Sequence, residues 1–316
     1  LKHWYLVGFK YSALNHEIKL FKYPVKHENC ETEVKKKKLY IKSITFENCI
    51  SLASSIISYK NNLVTSSNCY NGKIDNPKFL NINLSENHLS FIAKQPNKII
   101  NKKNIFCSWD FSKFISSEKI IDTGNLKFDG FTYNLPARAM KGINWNGTEF
   151  NWKLKPSHYS SIHFHDDDIY DSKWKKTFHW KVPSNFASGL YCAHIFDSKN
   201  NEDHIPFVIR PSKKNIKNKV VFLLPTASYM AYANDHNAVN GYKYEMLMGR
   251  LTVLQPEDLF VDQHREYGLS MYDTHSDGSG VCYSSRLRPI LNMRPKYSSS
   301  NGGVGSGLWQ FNADTH

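Results

Sequence analysis

The sequence predicts a mainly β N-terminal part followed by the opening of an α/β domain. Short runs of β-branched and aromatic residues recur up to Pro211, broken by Asn, Ser and Gly clusters. A polar, basic stretch, Ser212–Lys219, then interrupts the pattern. Beyond it the continuous apolar run Val220–Pro225 opens a segment rich in Gly, Asn, Tyr and Ser. Such a run suits a strand buried on both faces. The boundaries read as 1–115, 116–212, a linker at 213–219, and 220–316.

In the first region, Trp4–Phe9 and Ile18–Tyr23 alternate in the manner of half-buried strands. Turn-like clusters at regular spacing suit a β-sandwich. Tyr70–Phe79, with Gly72 and Asp75, resembles the late-strand signature of laminin-G-like, concanavalin-type jelly rolls. There the glycine permits a turn and the aspartate orders the backbone. In the second region Thr177–Pro183, Ser188–Ile195 and Ile205–Pro211 read as three strands of an immunoglobulin-like sandwich. In the third, functional loops are expected at the carboxyl end of the first strand. The run Gly302–Gly307 lacks the Lys-Ser/Thr ending of a phosphate loop and the spacing of a dinucleotide fingerprint. It reads as a loop leading into Leu308–Phe311.

Composition narrows the function classes. Hydrophobic residues make up 41% and charged residues 22%, an ordinary globular balance. No apolar run is long enough to span a membrane. The formal net charge is +13, and Lys35–Lys38 is its densest cluster. The lysines are otherwise scattered among Asn and Ile, without the basic-aromatic face that nucleic-acid binding needs. The six cysteines, Cys30, Cys49, Cys69, Cys107, Cys192 and Cys282, form no CxxC pair. That scatter fits reduced thiols and a cytoplasmic location.

Several stretches then stand in a telling order. They are Cys107–Ser112; Asn134–Met140 with Gly142 and Trp145; Ile162–Ile169 with Trp174; and Leu224–Asn234. Gly268–Val281 and Ser284–Ile290 follow. Together they resemble the N,N-dimethylformamidase large (beta) subunit family. The resemblance is strong from about residue 100 onward and fainter before it. It implies a glutamine-amidotransferase-like α/β domain and hydrolysis of a small N-substituted formamide to formate and an amine. It also implies a mononuclear Fe(3+) held by two tyrosinates and one glutamate. Tyr272 maps onto the second tyrosine. The first is Tyr232, with Tyr229 as the alternative. The glutamate and a catalytic histidine belong to an H-P-E-Y segment expected beyond His316. The chain is therefore expected to be a fragment, inactive alone. A small partner subunit and further oligomerisation are implied as well.

Phenolate oxygen suits a hard ferric ion, which can polarise an amide carbonyl and acidify bound water. His275 and Asp273, close to Tyr272, are candidates to orient a ligand or substrate. His163, His165 and Asp166–Asp168 have the composition of a metal site. They read equally as a loop whose carboxylates cap backbone amides and pair with arginine. Arg286 and Arg288 are candidates to neutralise carboxylates or cap the loop, or to be solvated. A competing function is a glycan-binding laminin-G-like module with a degenerate C-terminal domain.

Overall fold

The computed structural model describes residues 3–26, 30–41, 49–60, 63–96, 100–212, 219–236, 239, 241–249, 253–294 and 297. The linker stretch at 213–218 and the glycine-rich Gly302–Gly307 segment lie outside the described residues. The chain divides into two compact units, Leu1–Phe164 and His165–His316. The division falls inside the stretch 116–212.

The first unit is mainly β. Strands β1 (Tyr5–Ser12), β2 (Glu17–Pro24) and β3 (Glu33–Lys38) form an antiparallel meander, with Phe9 opposite Leu20 and Phe21 opposite Val34. Strands β4 (Ser55–Lys60) and β5 (Leu63–Ser67) pair as a hairpin. Strands β6 (Gly72–Asp75) and β7 (Lys78–Leu80) come from the Tyr70–Phe79 motif. Asn76 turns between them at φ 54°, a conformation that asparagine tolerates better than most residues. Helix α1 (Glu86–Lys94) starts where the Ser85 side chain accepts the His88 N–H, an N-cap. One helical turn apart, Leu89 and Ala93 meet Tyr23 and Phe21 of the first sheet.

Strands β8 (Ile105–Asp110), β9 (Lys119–Asp122) and β10 (Gly130–Phe131) extend a sheet in the order β10-β9-β8-β7. Strands β11 (Ala137–Met140) and β12 (Ser161–Phe164) join β6 in a second sheet, ordered β11-β12-β6. Residues from both sheets share one core: Cys107, Trp109, Phe111 and Ile120 meet Ile162, with Ile74, Phe79 and Phe164 against them. Asp75 does order backbone, though of a distant segment. Its Oδ2 accepts the Ile143 N–H at 2.8 Å and the Ser160 hydroxyl at 3.0 Å.

Two buried charges fasten the loops of this unit. The Asp122 carboxylate accepts the N–H groups of Ser108 and Gly124, each at 2.7 Å, and of Phe128 at 2.8 Å. The Arg138 guanidinium donates to the carbonyls of Phe111, Lys113, Ser117 and Lys119. All six cysteines are free. Burial, with help from Asp122, pushes the Cys107 thiol up to about 11. Since the thiolate is the reactive form, alkylation mapped by mass spectrometry should label exposed Cys49 first and Cys107 last. Early labelling of Cys107 in folded protein would contradict this core.

In the second unit the strands are β13 (Gly189–Phe196) and β14 (Glu202–Ile209), an antiparallel hairpin. They match the expected Ser188–Ile195 and Ile205–Pro211 strands to within a few residues. Thr177–Pro183, also expected as a strand, forms none. Trp180 of that stretch instead rests against Phe207 of β14 and against Phe186. The Val220–Pro225 run is a second correction. It forms no strand, and Val220, Val221 and Leu223 are 83%, 82% and 88% exposed. A strand buried on both faces needs neighbours to complete its hydrogen bonding. Among the described residues of this unit only β13 and β14 are strands, and they pair with each other. Instead, residues past 220 supply helices α2 (Thr226–Ala231), α3 (Gly241–Met248) and α4 (Pro256–Gln263). A capping box between Gln255 and Asp258 starts α4, with Pro256 in its first turn. Its Val261 packs with Leu291, Tyr267 and Tyr297. Among the described residues no helix is long and apolar enough to cross a membrane.

Candidate active site

The candidate site is assembled from two loops of the second unit. Helix α2 ends at Tyr232, and Asn234 just beyond takes a left-handed backbone at φ 59°. Asparagine is one of the few residues that fits such a helix end without strain. The second loop follows α4 and begins at Gly268, also left-handed at φ 87°. A Cβ there would overlap the Arg288 guanidinium and the Ile169 side chain, so glycine is required twice over.

One backbone bond sets the geometry: the Met271 N–H donates to the Ala231 carbonyl at 2.8 Å. The residues that follow each partner, Tyr232 and Tyr272, are thereby brought side by side. Their rings stack with centroids 4.1 Å apart and planes 16° from parallel. The Tyr232 and Tyr272 phenols are hydrogen-bonded to each other. This bond, together with burial, pushes the Tyr232 hydroxyl up to about 12. Tyr272 is 55% exposed, so the pair faces solvent on one side. Tyr229, one turn earlier on α2, is 3% exposed and buried in the unit. Of the two candidates, Tyr232 is the one whose ring meets Tyr272.

Buried polar side chains hold these loops. Asn234, 1% exposed, donates to the carbonyls of Tyr267 at 3.1 Å and Pro289 at 2.8 Å, and accepts the Leu291 N–H at 2.8 Å. Asn292 donates to the Tyr232 carbonyl at 2.6 Å. Arg288, 5% exposed, donates to the carbonyls of Tyr267, Ala233, Leu269 and Ser285. Burial pulls its guanidinium down to about 10, against the attraction of Asp273, and it stays charged at neutral pH. Asp273 accepts the Ser270 N–H at 2.8 Å and lies 3.0 Å from His236 Nδ1. Burial works against its ionisation, but these bonds outweigh it and hold the carboxyl below its usual value. Asp273 thus braces the turn that presents Tyr272. Arg288 caps loops, one of the roles expected for it, while Arg286 is exposed.

His275 belongs to a cluster with the loop after β12. Its Nδ1 lies 2.5 Å from Asp167, and its ring stacks on His165. Asp168 caps the His165 N–H at 3.2 Å, as expected of such a loop. The charge partners of these aspartates are His165 and His275 rather than an arginine. His163 lies within β12, opposite Ala137 and Lys73. Asp277 heads a turn in which Gly278 is left-handed at φ 80°. Asn234, Asn292 and His236 were missed in sequence as site-building residues. Asn234 closes the Leu224–Asn234 stretch, and a buried asparagine at a helix end was the signal available.

These features define a class: a β-rich chain whose helical loops set two phenols together on a buried polar scaffold. The family model described as "N,N-dimethylformamidase beta subunit-like, C-terminal" matches residues 137–316, more than half of the chain. The chain belongs to that family. The N,N-dimethylformamidase beta subunit of Alcaligenes sp is 33% identical over 258 residues, covering 78% of this chain and 32% of that protein. The protein of the same name from Paracoccus aminophilus is 35% identical over 258 residues, with the same coverage. The chain thus spans about a third of the length of these curated relatives.

Proposed function

We propose that this chain contributes the paired-tyrosine half of an iron-dependent amide hydrolase acting on a small N-substituted formamide such as dimethylformamide. The contact between Tyr232 and Tyr272 carries the reading. Two adjacent phenol oxygens are a hard donor set that fits ferric iron, and such donors leave positions open for water and substrate. When bound, the ion would supply a Lewis acid for the amide carbonyl and lower the pKa of a bound water. The chain's own residues would hold the site. Tyr232 and Tyr272 would each give up a phenol proton to act as donors. Asn292 fixes the backbone at Tyr232, and Asp273 fixes the turn before Tyr272. Arg288 keeps the two loops together at Ala233 and Leu269.

The relatives are named as beta subunits, which supports assembly of this chain with a partner subunit. The core shared by two antiparallel sheets in the first unit supports a laminin-G-like reading there.

The test is Tyr272→Phe and Tyr232→Phe in the assembled enzyme. The parent is expected to carry iron and a visible tyrosinate-to-iron charge-transfer band, and to hydrolyse dimethylformamide. Each variant should lose the band and most of the iron, with hydrolysis falling at least about 100-fold, the scale on which removing a key transition-state contact acts. A folded, colourless, iron-free parent would end the iron reading. Glycan binding in its place would favour the recognition-module alternative.

A further inference from the structure

The His165–His275 cluster holds more than a structural contact requires. The two imidazoles stack face to face, centroids 3.6 Å apart and planes 4° from parallel. Their side chains are 1% and 5% exposed. Each ring turns one nitrogen toward the same carboxylate. His165 Nδ1 lies 3.2 Å from Asp168 Oδ2, and His275 Nε2 lies 3.9 Å from Asp168 Oδ1.

The outer nitrogens fix where the ring protons sit. His275 Nδ1 is 2.5 Å from Asp167 Oδ1, and an ionised carboxylate only accepts, so Nδ1 carries the proton. His165 Nε2 is 2.9 Å from the Ser279 hydroxyl. That hydroxyl spends its single proton on Asp277 Oδ1 at 2.5 Å, so it accepts from His165 Nε2–H. In this tautomer a neutral ring turns the lone pair of its inner nitrogen toward Asp168, an arrangement that a cation held between the three groups would satisfy.

We propose that His165 Nδ1, His275 Nε2 and the Asp168 carboxylate form a binding site for a divalent transition-metal ion of the zinc class, separate from the tyrosine pair. Two neutral imidazoles and one carboxylate make a three-ligand set that leaves a position for water. The donor atoms already lie within 4.8 Å of one another. Metal–nitrogen distances of about 2.0–2.1 Å require them to draw closer and the rings to tilt out of parallel. The surroundings have the form of outer support for metal-bound histidines: Asp167 holds His275 from behind, and Asp277 acts on His165 through Ser279. Ser276 donates to Asp166 at 2.9 Å, tying the two loops at a further point. An extra proton on one of the groups is the rival occupant of the gap. Burial raises the Asp168 carboxyl above its usual value, while its histidine neighbours oppose the rise. Burial also opposes a charge on His275, yet its aspartate neighbours raise it.

The experiment titrates the chelator-treated full chain with Co(II), followed by visible absorption, and with Zn(II), followed by calorimetry. It is run in the Tyr272→Phe background so that the tyrosine pair does not contribute. One saturable site with intense ligand-field bands is expected. His165→Asn, Asp168→Asn and His275→Gln should each abolish it or weaken it by more than about 100-fold, and Asp167→Asn by about 10–100-fold. His204→Asn should leave it unchanged. That control matters because His194, Glu202 and His204 form an exposed cluster on the β13–β14 hairpin. Imidazole nitrogen resonances of the unmutated ligands, recorded with and without Zn(II), guard against variants that misfold. Those of His165 and His275 should move. The proposal is overturned by an absence of saturable uptake, by uptake that only His204→Asn removes, or by shifts confined to other histidines.

Discussion

Replacing Arg288 by alanine is expected to destabilise the second unit by about 4–5 kcal/mol, the upper end for a single substitution. The guanidinium donates to four backbone carbonyls, at 2.8 Å to Leu269, 3.1 Å to Tyr267, 3.3 Å to Ser285 and 3.4 Å to Ala233. It also donates to the Ser284 hydroxyl at 3.1 Å. Hydrogen bonds to a charged group are worth about 1.5–3 kcal/mol each, and they do not add in full when one side chain makes them all. The truncation also leaves carbonyls in a buried space and Asp273 without its nearby cation. Arg288→Lys should recover only part of the loss, because an ammonium cannot span the fork-shaped set of acceptors. The measurement is native-state hydrogen exchange at Met271 and Leu291, whose amides are bonded within this scaffold. About 1000- to 5000-fold faster exchange corresponds to the expected loss. A change below tenfold would mean that the loops are held by something else.

Asp122→Asn is expected to cost the first unit about 3 kcal/mol at neutral pH. Asp122 is 2% exposed and accepts three backbone N–H bonds, two on Oδ1 and one on Oδ2. An asparagine keeps one oxygen and points an amide donor at one of those N–H groups, leaving it unsatisfied and buried. The carboxyl also carries a pH signature. Burial opposes its ionisation, but the bonds from Ser108, Gly124, Phe128 and the Cys107 thiol hold its value below the ordinary one. A folded value below the unfolded one, about 3.9, gives stability that is full above about pH 4. That stability is lost as pH falls through the folded value. Urea midpoints should therefore separate parent from variant at pH 7 and converge below about pH 4. Parallel curves across that range would contradict this role.

The legible parts of the fold were those set by local pattern. Alternation located β1, β2, β13 and β14 because each lies in a hairpin or meander whose partner is near in sequence. Val220–Pro225 misled for the opposite reason. Its apolarity fits a buried strand, but a strand needs partners, and composition does not say whether they exist. The tyrosine pair was half legible. The family resemblance mapped Tyr272 plainly and favoured Tyr232, with Tyr229 as the alternative. The helix geometry that buries one and presents the other is set by the Ala231–Met271 bond, a contact across the chain. In sequence Arg288 reads as a carboxylate partner, a loop cap or a solvated charge, and Arg138 carries no assigned role. Both prove to be fasteners for backbone carbonyls, because an irregular loop leaves many acceptors that no ladder satisfies.

The Asn234 junction has a consequence for the order of events during synthesis. Its side chain joins residues 57 positions apart through the Leu291 bond, and Arg288 draws on both loops at once. As the polypeptide leaves the ribosome, Tyr232 emerges well before the segment that fastens it. The side chains that fasten the two loops, Arg288 and Asn292, emerge after both phenols have been made. The loops that carry Tyr232 and Tyr272 are therefore fastened late, after both have been synthesised.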